Sequence, residues 1–153
     1  MNPTFEKLNG KDHAAIWVLN APESFQPAMA EMREAAVVHE EMSRAKGVTF
    51  ALAFATRKIE VDQFAARVAK ATTGDATVWV AYPKGKSKRY KCEFNRDNGW
   101  DQFGANGFEP VRMVAIDEDW SALRFRRVEF IKTMTRRFAM TKGGQEKAGR
   151  GKS

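Results

Sequence analysis

One cysteine, Cys92, and two histidines, His13 and His39, are all that 153 residues offer for a disulfide or a soft metal site. A single thiol excludes a disulfide-stapled scaffold, and the wide spacing of these three residues leaves no zinc pattern. No Gly-x-Ser-x-Gly segment surrounds a serine nucleophile. Lys84-Gly85-Lys86-Ser87 lacks the preceding glycine of a phosphate-binding loop. No apolar run nears the ~20 residues of a membrane span. The opening Met-Asn-Pro-Thr-Phe-Glu-Lys has no apolar core of a secretory signal, so a cytoplasmic location with no membrane partner is expected.

What is present is enough for one folded domain. Hydrophobic residues are 43% and aromatics 11% of the chain, with eleven Phe and four Trp. That composition supports a buried core and excludes a fully disordered chain. The net charge of +7 is uneven. Residues 1–131 hold 19 basic and 18 acidic side chains, whereas residues 132–153 hold seven basic and one acidic. The expected organisation is a single α/β domain over 1–131 and a basic extension over 132–153. Its Gly-rich end, 141–153, buries too little to offset ordering entropy and is expected to be disordered. Such an extension attracts nucleic acid weakly and in a salt-dependent way.

Strand-like and helix-like segments alternate. Residues 14–19 are a short apolar run stopped by Asn20-Ala21-Pro22, which predicts a buried strand. Ser24 is positioned to cap a helix over 25–34, with Phe25, Ala28, Met29 and Met32 on one face. Residues 35–39 predict a short strand or a continuation of that helix, and 48–55 a strand. Val61, Phe64, Ala65, Val68 and Ala69 mark an amphipathic helix closed by Gly74. Residues 77–82 form another buried strand, ended by Pro83. A basic loop follows, with Lys84, Lys86, Lys88, Arg89, Lys91 and Arg96, and then a helix over 98–106. Tyr90, Cys92 and Phe94 alternate with charged residues, which predicts a short extended segment with Cys92 buried. Residues 111–116 and 122–128 predict an antiparallel hairpin around Asp117-Glu118-Asp119. Its outward Arg124 or Arg126 is expected to pair with Asp117 or Asp119. The sum is a three-layer, Rossmann-like mixed sheet, mostly parallel with a C-terminal antiparallel hairpin.

Trp79-Val80-Ala81-Tyr82-Pro83-Lys84, Arg96-Asp97-Asn98-Gly99-Trp100 and Ala115-Ile116-Asp117-Glu118-Asp119-Trp120-Ser121-Ala122-Leu123-Arg124-Phe125 resemble an uncharacterised bacterial family of unknown function. Leu19-Asn20-Ala21-Pro22-Glu23-Ser24-Phe25 resembles its first-strand element, in which Gly stands at positions 20 and 24. The resemblance spans about residues 12–128 and carries over no activity. The order of elements is also similar to a shortened methyltransferase-like Rossmann sheet, and that resemblance implies a fold rather than a function.

Ligands in open α/β sheets bind beyond the carboxyl ends of the strands. Those ends bring forward Asn20 and Ser24, then Glu40, Arg57, Tyr82, Lys84, Lys86 and Trp120. The cations suit a phosphate or carboxylate, and Tyr82 or Trp120 a stacked base, unless the two rings simply close the core. A nucleoside cofactor also needs a Gly-rich turn after the first strand and an acid ~20 residues on. Glu40 or Glu41 supplies the acid, but the turn has no glycine and Pro22 has no N–H. No cofactor is therefore expected, S-adenosylmethionine included. The expected function is a non-catalytic or degenerate methyltransferase-like module binding an anionic small molecule or a protein partner. The rivals are an S-adenosylmethionine-dependent methyltransferase and a nucleic-acid-binding accessory protein using 132–153.

Overall fold

The structure is a computed structural model that describes residues 2–10, 12–95 and 97–131. The basic extension over 132–153, with its expected disorder at 141–153, lies outside the described residues, as does Arg96. In chain order the elements are α1 (Pro3–Lys7), β1 (Ala15–Leu19), α2 (Gln26–Met32), β2 (Val37–His39), β3 (Phe50–Phe54), α3 (Lys58–Ala71), β4 (Thr77–Pro83), α4 (Asp101–Ala105), β5 (Phe108–Ala115) and β6 (Trp120–Arg127). The six strands form one sheet in the order β2-β1-β3-β4-β6-β5. The pairs β1–β2, β1–β3 and β3–β4 are parallel, and β4–β6 and β5–β6 are antiparallel. The expected mixed Rossmann-like sheet is thus observed. Among the described residues no helix is long and apolar enough to cross a membrane.

Burial explains why the central runs are apolar without alternation. Every residue of β3 and β4 is buried, because helices cover both faces there. On one face Ile16, Val18, Phe50, Leu52, Phe54 and Trp79 meet Phe5 and Leu8 from the α1 region and Phe25, Met29 and Met32 from the α2 region. On the other, Ala51, Ala53, Val78, Val80, Leu123 and Phe125 meet Val61, Phe64, Ala65 and Val68 of α3 and Phe103 of α4. The α3 stripe is the one its spacing predicts, and Gly74 follows it with a left-handed backbone, φ 67°.

Several local expectations need correction. Ser24 caps no helix: Glu23–Phe25 forms a 3-10 turn closed by the Phe25 N–H on the Pro22 carbonyl (2.9 Å), and α2 starts two residues later, at Gln26. The helix expected over 98–106 shortens to α4 because Gly99 has φ 92°, outside helical space. No ladder holds Cys92. Tyr90, Cys92 and Phe94 do turn inward while Lys91 and Glu93 turn out, but the segment is irregular and Cys92 is only half-buried. Arg126 pairs with Asp75 (3.0 and 2.5 Å) instead of the hairpin acids. The strand carries it away from the turn, since even Arg124, four residues beyond Trp120, is ~14 Å along at ~3.4 Å per residue. The helix α1 has no counterpart in the sequence reading. Asn2 starts it, its side chain accepting the Thr4 and Phe5 N–H groups (2.9 and 3.3 Å), with Pro3 at the first helical position.

Candidate functional site

The carboxyl ends of β1, β2, β3 and β4 lie along one edge, and β6 begins there because Trp120 pairs with Pro83. Of the eight residues expected at the rim, Asn20, Glu40 and Arg57 line one cleft along this edge and Tyr82 and Lys84 a second; Ser24, Lys86 and Trp120 line neither.

The first cleft, of about 380 Å³, opens between β1 and β3. The chain leaves β1 toward β2 on one side and resumes at β3 on the other, which makes this the topological switch point. Asn20, Glu40 and Arg57 line it together with Glu41, Ser43, Glu60 and Arg67. Ser24 does not; it sits in the 3-10 turn before α2. Most of the charge here is already matched. Glu40 pairs with Arg33 (3.2 Å). Arg67 donates to the Ser43 carbonyl (2.6 Å), and the Ser43 N–H donates to the Glu41 carboxylate. Those Ser43 hydrogen bonds, helped by Arg67 and Arg44, hold the Glu41 carboxyl below its ordinary value. Glu60 folds back to accept the Thr56 and Arg57 N–H groups (3.0 Å each), so a carboxylate of the chain already occupies the entrance to α3.

The second cleft, of about 720 Å³, opens beyond β4. Tyr82, Tyr90 and Phe94 supply aromatic wall, Lys84 and Lys91 positive charge, and Ser87, Asn95 and Asn98 neutral polar groups; Glu93 is the one carboxylate in the lining. Lys86 rides on the same loop outside the lining. Among the described residues Lys84, Lys86 and Lys91 make no ion pair. The basic loop is not free to wander, because the acidic turn holds it. The Lys84 N–H donates to the Asp119 carbonyl (2.8 Å) and the Ser87 hydroxyl to the Asp119 carboxylate (2.8 Å). The Tyr90 N–H in turn donates to the Ser87 oxygen (3.3 Å). Asp117 stabilises that turn by accepting the Asp119 and Trp120 N–H groups (2.8 and 2.9 Å).

Tyr82 and Trp120 are 6% and 3% exposed. The Tyr82 hydroxyl donates to Met113 Sδ (3.2 Å), and its ring meets Phe94 and Trp100. Trp120 packs on Phe54 and Tyr90. Both rings therefore close the core, and neither presents an open face to a base. Cys92 lies in the same lining, and burial is the main cause that pushes its thiol above its ordinary value. Sequence reasoning missed Tyr90, Ser87, Asn95 and Asn98 as wall residues. Their signal was a long connection directly after a strand carboxyl end, since such loops carry binding groups on a rigid scaffold.

No family model matches the sequence, and no curated protein matches it either. Solved structures do. A protein of Sulfolobus solfataricus described as a candidate type 11 methyltransferase superposes with a TM-score of 0.50 at 7% identity, covering 82% of this chain and 78% of that one. A protein of the NADB-Rossmann superfamily from Streptococcus agalactiae reaches a TM-score of 0.45 at 9% identity, over 83% and 68%. At such identity the likeness shows the fold alone, a Rossmann-like α/β sheet.

Proposed function

We propose that the protein is a methyltransferase-like module that has lost, or never had, methyl transfer, and that it binds a small anionic ligand in the cleft beyond β4. One observation carries the reading. Lys84 and Lys91, without ion-pair partners among the described residues, border an aromatic-walled cleft at the carboxyl edge of the sheet. A phosphate or carboxylate there gains charge-assisted hydrogen bonds, while the apolar part of the ligand covers the half-buried Tyr90. A protein partner with an acidic side chain would meet the same chemistry.

The switch-point cleft does not fit S-adenosylmethionine well. Glu40 stands where an acid would hold ribose hydroxyls, yet Arg33 already engages it, and Pro22 removes an N–H from the turn that would face the ligand. Calorimetry separates the readings. Adenosine monophosphate, used as an anionic aromatic probe, is expected to bind with an affinity that falls ~10-fold in Lys84→Ala, the loss of one charge-assisted contact. Micromolar binding of S-adenosylmethionine, removed by Glu40→Ala and untouched by Lys84→Ala, would favour an active methyltransferase instead.

A further inference from the structure

The β5–β6 hairpin holds an arrangement that the fold alone does not explain. Arg112 of β5 stands directly opposite Arg124 of β6, so both guanidinium groups rise from the same sheet face. That is the face of α1 and α2, because Arg124 also pairs in register with Trp79, a core residue of that side. Like charges directly opposite each other destabilise a ladder. Neither arginine has an acceptor among the described residues, and the buried Nε of Arg124 makes no hydrogen bond. A buried cationic donor without an acceptor is costly and calls for a counter-charge. Arg126, two residues along, shows the contrast: Asp75 takes its fork with two hydrogen bonds, and Glu109 stands opposite it in the ladder. The open pair is therefore Arg112 and Arg124, the first exposed and the second half-buried.

We propose that Arg112 and Arg124 form a second anion site, which takes the backbone phosphates of a nucleic acid. A phosphate bridging the two forks supplies acceptors to both guanidinium groups and removes their mutual repulsion. Charge along the chain favours a polyanion over a lone phosphate. The strand that carries Arg124 ends at Arg127, and residues 132–153, with seven basic and one acidic side chain, follow almost at once. A chain this cationic favours a partner with many phosphates over one with a single phosphate. The site shares no residue with the cleft beyond β4, so either assignment can fail without the other.

Fluorescence polarisation of the full chain with a labelled single-stranded oligonucleotide of ~20 nucleotides, between ~50 and ~200 mM salt, tests it. Arg112→Gln is expected to weaken binding ~3- to 10-fold and Arg112→Gln/Arg124→Gln further. Each lost arginine lowers the salt slope by about one. Lys70→Gln, which removes an exposed charge from α3, stays within about twofold of the parent. Arg112 is exposed on an edge strand, so its variant reports on binding even if Arg124→Gln unfolds the chain. Unchanged affinity and slope in Arg112→Gln would overturn the proposal. So would an effect of the arginine variants on inorganic phosphate or a polyglutamate peptide, with none on the oligonucleotide.

Discussion

Asn20 holds a left-handed backbone, φ 58°, at the end of β1. Of the side-chain-bearing residues, Asn is among the few that adopt this conformation readily. An Asn here holds the turn without the close backbone approach that a glycine would allow. Asn20→Gly is expected to leave stability within ~0.5 kcal/mol, whereas Asn20→Val should cost ~1–2 kcal/mol in urea unfolding, with its β-branched chain forced into left-handed space. Cys92 makes a second prediction at this scale. Burial raises its thiol, so its contribution to stability is complete below the unfolded thiol's range and is lost as pH rises through the folded value. Between about pH 8 and 10, stability should fall more steeply in the parent than in Cys92→Ala. A thiol reagent at pH 8 should label the folded chain more slowly than the urea-unfolded one. Equal rates would show that Cys92 is not shielded.

Among the elements, the parallel strands and α3 were legible because their signals are local: apolar runs for strands buried on both faces, and an i, i+3, i+4 stripe for a helix buried on one. α1 was not legible. Five residues carry too little periodicity, and α1 is held by tertiary contacts; the Leu8 carbonyl, just past its end, accepts the Trp79 indole N–H at 2.7 Å. The rim residues were named from strand ends, but their division into two clefts was not legible. It depends on the strand order and on how residues 84–90 fold back against the acidic turn. That turn acts on the basic loop as one unit. Asp119→Ala removes the acceptor of the Ser87 hydroxyl and should loosen the loop without touching the core. Limited trypsin digestion, which reads Lys84, Lys86, Lys88 and Arg89, should cut this variant ~5- to 10-fold faster, with global stability changed by less than ~1 kcal/mol. An unchanged cleavage rate would mean that the Asp119 carbonyl and the Tyr90–Trp120 contact suffice to hold it.

In the molecule as a whole, residues 1–131 differ by one charge from neutrality, and cations without an ion pair among the described residues include Lys84, Lys86 and Lys91 of the loop beyond β4 and Arg112 and Arg124 of the β5–β6 face. Composition pointed to the basic extension, and the strand ends to the rim cations; the strand pairing adds the facing arginines Arg112 and Arg124. The Rossmann-like sheet supplies the carboxyl edge, and because the charges at the switch point are largely matched, the proposed function places the ligand beyond β4. The most direct test is a ¹H–¹⁵N titration of the full chain with adenosine monophosphate. The account predicts that the backbone signals of Gly85, Ser87, Lys91 and Asn95 shift together and saturably, while those of Asn20, Glu40 and Arg57 stay in place. Shifts confined to Asn20, Glu40 and Arg57 would contradict it and return the binding site to the switch point.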